Sequence, residues 1–458
     1  MTFRVWEGSM SKLAKKKTDD TKIAGPELSF KDPAMQALFH LLCERWLCGT
    51  FEVRFLSRVE WEKGKKNIPE GKTLLSFPEN ATSEEVAEIL RLAGRMENER
   101  PPVGIGDVPA HALAHFLFRR AMKYLARNMP FSALPRYAKN CLLAWHDGQI
   151  TLYEALRVPV LRIELEEVRK TGDIRRISEK EFEIADKVQM VVRNFIHEDG
   201  VQQPADMIKK QTLNCRGGSF LGGAILSEIG VPYLLGDVPR HSILVITASD
   251  GTIEWHDMIT PWANEELTRD KISGCTIGEI YAYIKDPTPD GLMFDVARFD
   301  NPRVEVKGRR FLTLFPPETG IQMQIIHGLA YDLVGCGLGE GDPQKKRDYF
   351  SQALLACELS AAYSPKYEYA YNKKGEVLCF LDRYAEAAEA FLLAQSANSQ
   401  NSFCYFGLGN AYFALGKNKE STDAYRQYLA LADKNTEDDF IKTANERLIQ
   451  LAGLPASV

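Results

Sequence analysis

The feature that most constrains this chain is a periodicity in its last third. Tyr371, Gly375, Leu381, Tyr384, Ala387, Phe391 and Ala394 are answered 34 residues later by Tyr405, Gly409, Leu415, Asn418, Ser421, Tyr425 and Tyr428. A repeat of that length, with small and bulky residues in register, describes helical hairpins that must stack to bury their apolar faces. Gly375 and Gly409 let the second helix of a hairpin approach the first, and Ala387 and Ser421 do the same from the other side. An earlier, degenerate unit runs through Ala353, Cys357, Ser360 and Pro365, and a helix over 436–453 closes the stack. Residues 319–458 are therefore expected to form an all-helical module.

The remaining length leaves room for two further domains, since 458 residues correspond to about three. With 57 basic and 62 acidic residues and a net charge of -5, no basic excess points to nucleic acid as a partner. Nine cysteines at irregular spacing do not make a disulfide framework. They fit a reducing compartment in which most thiols are core filler. No apolar run is long enough to cross a membrane, and the first residues hold no apolar stretch of signal-peptide length. The expectation is a cytoplasmic, soluble protein with no membrane contact. Residues 1–30 read as a flexible arm, with Lys15–Lys17 as solvated charge.

Residues 31–179 read as mostly helical. Asp32 before Pro33 is a helix start, followed by Met35, Leu38, Phe39, Leu42 and Trp46 at helical spacing, with Gly49 as the stop. Thr82 with Glu85 forms a capping box, and Ser178 with Glu181 reads as a second one introducing Phe182, Ile184, Val188 and Val192. Residues 108–128 and 151–170 also carry helical periodicity.

The pattern changes near residue 211. A glycine-rich apolar helix, Cys215 to Gly230, precedes strand-like runs at Tyr233–Val238, Ser242–Thr247 and Thr252–Met258, with Asp250-Gly251 as a hairpin turn. This predicts an α+β unit with a small antiparallel sheet over 180–318, in which 285–318 is a linker with some strand, Val304 to Leu314.

One constellation in this unit can carry chemistry. A thiol nucleophile needs a base to take its proton, and the base needs a group to orient it. Cys215 opens a helix, where backbone N–H groups and the helix dipole favour a thiolate. His241 begins a strand, and Asp257 lies on the next strand of the hairpin, within reach across a ladder. Gln211 or Asn214 can supply a side-chain amide to an oxyanion, and the Cys215 backbone N–H is a further donor. His256 alternates to the opposite face of its strand and takes a surface role, while Trp255 shares the Asp257 face and shields the site or packs the core.

The segment NCRGGSFLGGAILSEIGVPYLLGDVPRHSILVITASDGTIEWHDM, with its helical lead Val188–Gly200 and Ala205–Lys210, resembles the transglutaminase-like superfamily of papain-like thiol enzymes. The family pattern is a cysteine at a helix start, a Gly-Ile/Val-Pro turn, a strand, a histidine on the next strand and an aspartate on the third. The resemblance implies Cys215 as nucleophile, His241 as base and Asp257 as its orienting group. Arg216 stands where catalytic members often carry an aromatic residue. The 34-residue period resembles tetratricopeptide repeats, and the combination resembles a bacterial branch of that superfamily. Lys374 departs from the repeat's usual leucine, and Ser399 and Asp433 from its common proline.

Other motifs carry less. His111 and His115 share a helix face without the glutamate of a zinc peptidase, Cys43 and Cys48 have no second pair, and no metal or cofactor is expected. GLGEGD at 337–342 reads as a turn, and Arg119–Arg120 as solvated charge. The resulting expectation is thiol-based hydrolysis of a peptide or amide bond, or acyl transfer to an amine, with the repeats recruiting a protein partner. The alternative is a non-catalytic adaptor in which both domains bind protein.

Overall fold

A computed structural model describes residues 30–46, 51–64, 73–95, 109–142, 150–198, 204–238, 241–259, 265–266, 272–273, 279–280, 282–283, 292–296, 311–315, 317–363, 367–432 and 438–453. The chain is mostly helical and of the α+β class. Along it run α1 (Pro33–Trp46), β1 (Phe51–Leu56), α2 (Arg58–Gly64), β2 (Thr73–Pro78), α3 (Ser83–Arg95), α4 (Pro109–Asn128), α5 (Arg136–Cys141), α6 (Leu152–Ala155), α7 (Val158–Lys170) and α8 (Ile174–Val192). Next come β3 (Ile196–His197), α9 (Pro204–Lys210), β4 (Thr212–Leu213), α10 (Cys215–Ile229), β5 (Tyr233–Val238), β6 (His241–Thr247) and β7 (Ile253–His256). The short β8 (Glu265–Glu266) and β9 (Ile272–Ser273), then β10 (Leu292–Val296) and β11 (Phe311–Phe315), lead into α11 (Pro317–Gly339), α12 (Pro343–Tyr363), α13 (Glu368–Phe380), α14 (Tyr384–Ala397), α15 (Ser402–Ala414), α16 (Asn418–Leu431) and α17 (Asp438–Leu451).

The expected caps at 32 and 82 are present. The Ala34 N–H donates to Asp32 Oδ1 at 2.8 Å, and Thr82 and Glu85 exchange backbone-to-side-chain bonds at 3.0 and 3.3 Å. Periodicity did not disclose the parallel pair β1–β2, whose Phe55 and Phe77 meet Phe30 edge-on at 4.6 and 5.4 Å between ring centroids. Phe30, expected to end the arm, is thus core; the rest of the arm and Lys15–Lys17 lie outside the described residues. The 151–170 helix is two helices, parted at Arg157, whose φ of 54° is left-handed.

The Ser178–Glu181 pair is not a capping box. Asp173 caps α8 by accepting from the Arg176 N–H, and Ser178 and Glu181 sit one turn inside the helix, both buried. There they reach across to the β6–β7 turn. Ser178 Oγ accepts the Asp250 N–H at 2.8 Å, and Glu181 accepts from Ser249. Arg120 is likewise not solvated: it is buried, packs over the Phe116 ring and donates to the Ala93 carbonyl, and burial brings it down to about 10.

The sheet is larger than the three strands read from sequence. Seven antiparallel strands lie in the order β8-β7-β6-β5-β11-β10-β9. The described parts of 285–318 are therefore sheet strands and a helix start rather than linker. The borders drawn at 179/180 and 318/319 fall inside α8 and α11. The main core runs from Phe30 to Ala424, with smaller clusters around Tyr371 and Tyr425.

In the last third, α13–α14 and α15–α16 are equivalent helical hairpins. A methyl on Gly375 would sit 2.7 Å from the Phe391 ring, and one on Gly409 would sit 2.6 Å from the Tyr425 ring. The two turns match as well: Asp382 and Gly416 occupy the same place, at φ 60° and 69°. Ser421 Oγ donates to the Gly409 carbonyl at 2.9 Å, sealing the second contact. Pro365 lies outside the described residues. Gly337 to Gly339 of the GLGEGD motif end α11 instead of turning, and Asp342 then caps α12 through the Gln344 N–H at 2.8 Å.

Candidate active site

The glycines of α10 explain how its first residue comes to the sheet. A methyl on Gly218 would meet the Ile259 side chain at 2.7 Å, and one on Gly222 would meet Met258 Sδ at 2.9 Å. Without side chains at 218 and 222, the helix lies directly against the segment that follows β7. Asn214 holds the start: its Oδ1 accepts the Gly217 N–H at 2.7 Å, and its carbonyl accepts the Gly218 N–H at 2.8 Å. Cys215 and Arg216 are then the first two residues of the helix.

Cys215, His241 and Asp257 come together. His241 Nε2 is 2.7 Å from Asp257 Oδ2, both side chains being nearly buried. The same imidazole and the Ser242 backbone N–H are close enough to the Cys215 sulfur to act on its charge. With Nε2 taken by the carboxylate, Nδ1 is the nitrogen left for the thiol. Asp257 does not lie on β7, as alternation predicts, but one residue past its end. Its second oxygen, Oδ1, accepts the Ile259 N–H at 2.9 Å.

These contacts set the charges. Burial pushes the Cys215 thiol up, but the hydrogen bond and charge of His241, the Ser242 N–H and the Arg216 charge bring it below the ordinary thiol value. Burial likewise opposes a charged His241, yet Asp257 and Cys215 outweigh it and raise the imidazole to about 9. The other buried thiols go the opposite way: desolvation raises Cys43 and Cys357, and carries Cys379 and Cys404 to about 12. Among the described cysteines with a resolved shift, Cys215 is thus the one moved toward thiolate.

The other expected site residues divide. Asn214 is buried, with its amide oxygen committed to the cap. Gln211 is exposed, at a left-handed position (φ 57°) that ends α9, and its N–H donates to the Met207 carbonyl. His256 is not at the surface. It is fully buried, with Nδ1 3.8 Å from Asp186 and Nε2 3.5 Å from Glu254, and neither nitrogen makes a hydrogen bond. Trp255 is buried in the sheet. His111 and His115 lie on α4 with their side chains outside the described set, Cys43 is a core thiol, and Cys48 is not described. Among the described residues no cluster of His, Cys, Asp and Glu has the makings of a metal site.

Sequence reasoning missed Gln189, a buried residue of α8 whose Nε2 donates to the Asp257 carbonyl at 2.8 Å. Its one signal was a polar residue on the apolar face of a helix.

The site thus belongs, by its geometry, to the class of Cys–His–Asp thiol constellations. No family model matches the chain, and none of the curated proteins matches its sequence. Among solved structures, the chain is similar to menin, in the crystal structure that reveals the binding site for Mixed Lineage Leukemia (MLL) protein. That likeness has 12% identity and a TM-score of 0.39, over 82% of this chain and 78% of that one. Among the described residues, no helix is long and apolar enough to cross a membrane.

Proposed function

We propose that this chain is a transglutaminase-like thiol enzyme that cleaves a peptide or amide bond through an acyl-enzyme on Cys215. The observation that supports it is the grouping of Cys215, His241 and Asp257, with His241 Nε2 2.7 Å from Asp257 Oδ2, the thiol lowered and the imidazole raised. In this reading the Cys215 thiolate attacks the carbonyl carbon, and the oxygen takes up negative charge against the Cys215 backbone N–H, with Gln211 or Asn214 as side-chain donors. His241 gives its proton to the departing amine as the C–N bond breaks. Water, deprotonated by His241, then attacks the thioester and returns the thiol; an amine in its place completes an acyl transfer. Asp257 holds the imidazole and its charge throughout.

The matched hairpins α13–α14 and α15–α16 support tetratricopeptide repeats as the partner-binding module, with a protein partner on their concave face. The composition and the unpaired thiols among the described cysteines favour a cytoplasmic setting.

The test is hydrolysis of a peptide and amide panel by the full chain, with and without an added primary amine. Release of amine by wild type and its loss in Cys215→Ala and His241→Ala carries the proposal. Equal behaviour of all three proteins, with a partner still captured, leaves the adaptor reading.

A further inference from the structure

We infer that Gln189 is a positioning residue for the thiol: through the backbone of Asp257, it sets where the carboxylate meets His241. This rests on the proposed reading of the Cys215–His241–Asp257 site. The ladder between β6 and β7 ends at the pair Leu244↔His256, so the sheet does not hold Asp257. A buried carbonyl needs a donor, and Gln189 Nε2 supplies one at 2.8 Å. The side chain of Asp257 is fixed by bonds to His241 and to the Ile259 N–H, each of which depends on where its backbone sits.

The support reaches back through α8. The same helix holds the far end of the hairpin, through Ser178 to Asp250 and Glu181 to Ser249. One helix thus grips the β6–β7 unit at its turn and at its catalytic end. Gln189 reaches the site through the Asp257 carbonyl. The charged groups around the thiol that it leaves in place are His241 and Arg216.

The experiment is the pH profile of Cys215 alkylation by iodoacetamide, read peptide by peptide on the full chain. The proteins are wild type, Gln189→Met, Asp257→Asn and the double variant. Methionine keeps the length and volume of glutamine and removes the donor. The expected result is a midpoint in Gln189→Met raised by about one pH unit, with about tenfold slower labelling near neutrality. In the Asp257→Asn background, the same change should move the profile no further. If Gln189→Met lowers the melting temperature but leaves the profile at the wild-type position, the positioning role is overturned while the site stands. An equal shift with and without Asp257 overturns it too. A wild-type profile like that of an ordinary thiol removes the site itself, and the positioning role with it.

Discussion

The carboxylate of Glu181 accepts both the backbone N–H of Ser249, at 2.8 Å, and its hydroxyl, at 2.9 Å, across 68 residues of sequence. Arg169 donates to the same carboxylate at 2.9 Å and also to the Gly230 carbonyl at the end of α10. A fully buried carboxylate is tolerated because its lone pairs are filled in this way. These bonds tie four elements together: α7, α8, the end of α10 and the β6–β7 hairpin.

Glu181→Ala should therefore cost about 3 kcal/mol, since it strands two donors of Ser249 and one of Arg169. Urea denaturation measures the loss. Hydrogen exchange should show the amides of Ser249 and Asp250 opening first. A change below about 0.5 kcal/mol would contradict the role given to this carboxylate.

Cys215 should label at least about tenfold faster than Cys379 or Cys404 near neutral pH, because only the thiolate reacts and those two thiols are raised to about 12. His241→Ala should remove most of the difference. Peptide-level mass spectrometry after brief iodoacetamide exposure gives all the rates in one sample. Equal rates at the three thiols would refute the charge state assigned to the site.

The titrations of His241 and the thiol are coupled, yet they act on stability with opposite sign. Folding raises this histidine from 6.5 to about 9, so its contribution to stability is full below 6.5 and fades as pH climbs through the folded value. Cys215, lowered by folding, acts with opposite sign: its contribution is present above the unfolded thiol value and fades as pH falls through the lowered one. In wild type the two act in opposite directions above neutrality. Cys215→Ser removes one side of the balance and one of the groups that raise the imidazole, leaving Asp257. That variant should lose stability as pH rises above about 6.5, over a range ending below the wild-type value of about 9, and adding His241→Gln should abolish the slope. Denaturation midpoints across this range decide the sign.

The repeat hairpins offer a paired test. Gly409→Ala puts a methyl 2.6 Å from the Tyr425 ring and should cost about 2 kcal/mol. Asp382 holds a left-handed backbone that its counterpart Gly416 adopts without strain, so Asp382→Gly should be stabilising by about 0.5–1 kcal/mol, less the value of its bond from the Tyr384 hydroxyl. Thermal melts of the two variants should move in opposite directions.

Much of this was legible in the sequence because it is local. Helix caps such as Thr82–Glu85 read directly, as did the 34-residue repeat and the order of Cys215, His241 and Asp257, because each depends on short spacing. Ser178–Glu181 had the same spacing as a cap but a different task, since its partners are 68 and 72 residues away and no local rule sees them. Of the outer strands, β11 overlaps the run expected at Val304 to Leu314, while β8, β9 and β10 escaped for a related reason. β8 and β9 are two residues long, too short for any alternation, and β10 is fixed by pairing with β11. His256 was assigned outward by alternation alone, yet α8 covers that face of β7, with Asp186 beside the ring.

The bare faces of Gly218 and Gly222 have a consequence for how this protein can change. The side chains that fill the space beside them, Met258 and Ile259, directly follow the aspartate of the site. Bulk at the thiol's helix and bulk beside the carboxylate therefore draw on one shared volume. A larger residue at 222 requires the Met258 side chain to move or shrink and Leu244 to give, so changes at 222 and 258 are coupled, and with them the spacing between thiol and carboxylate.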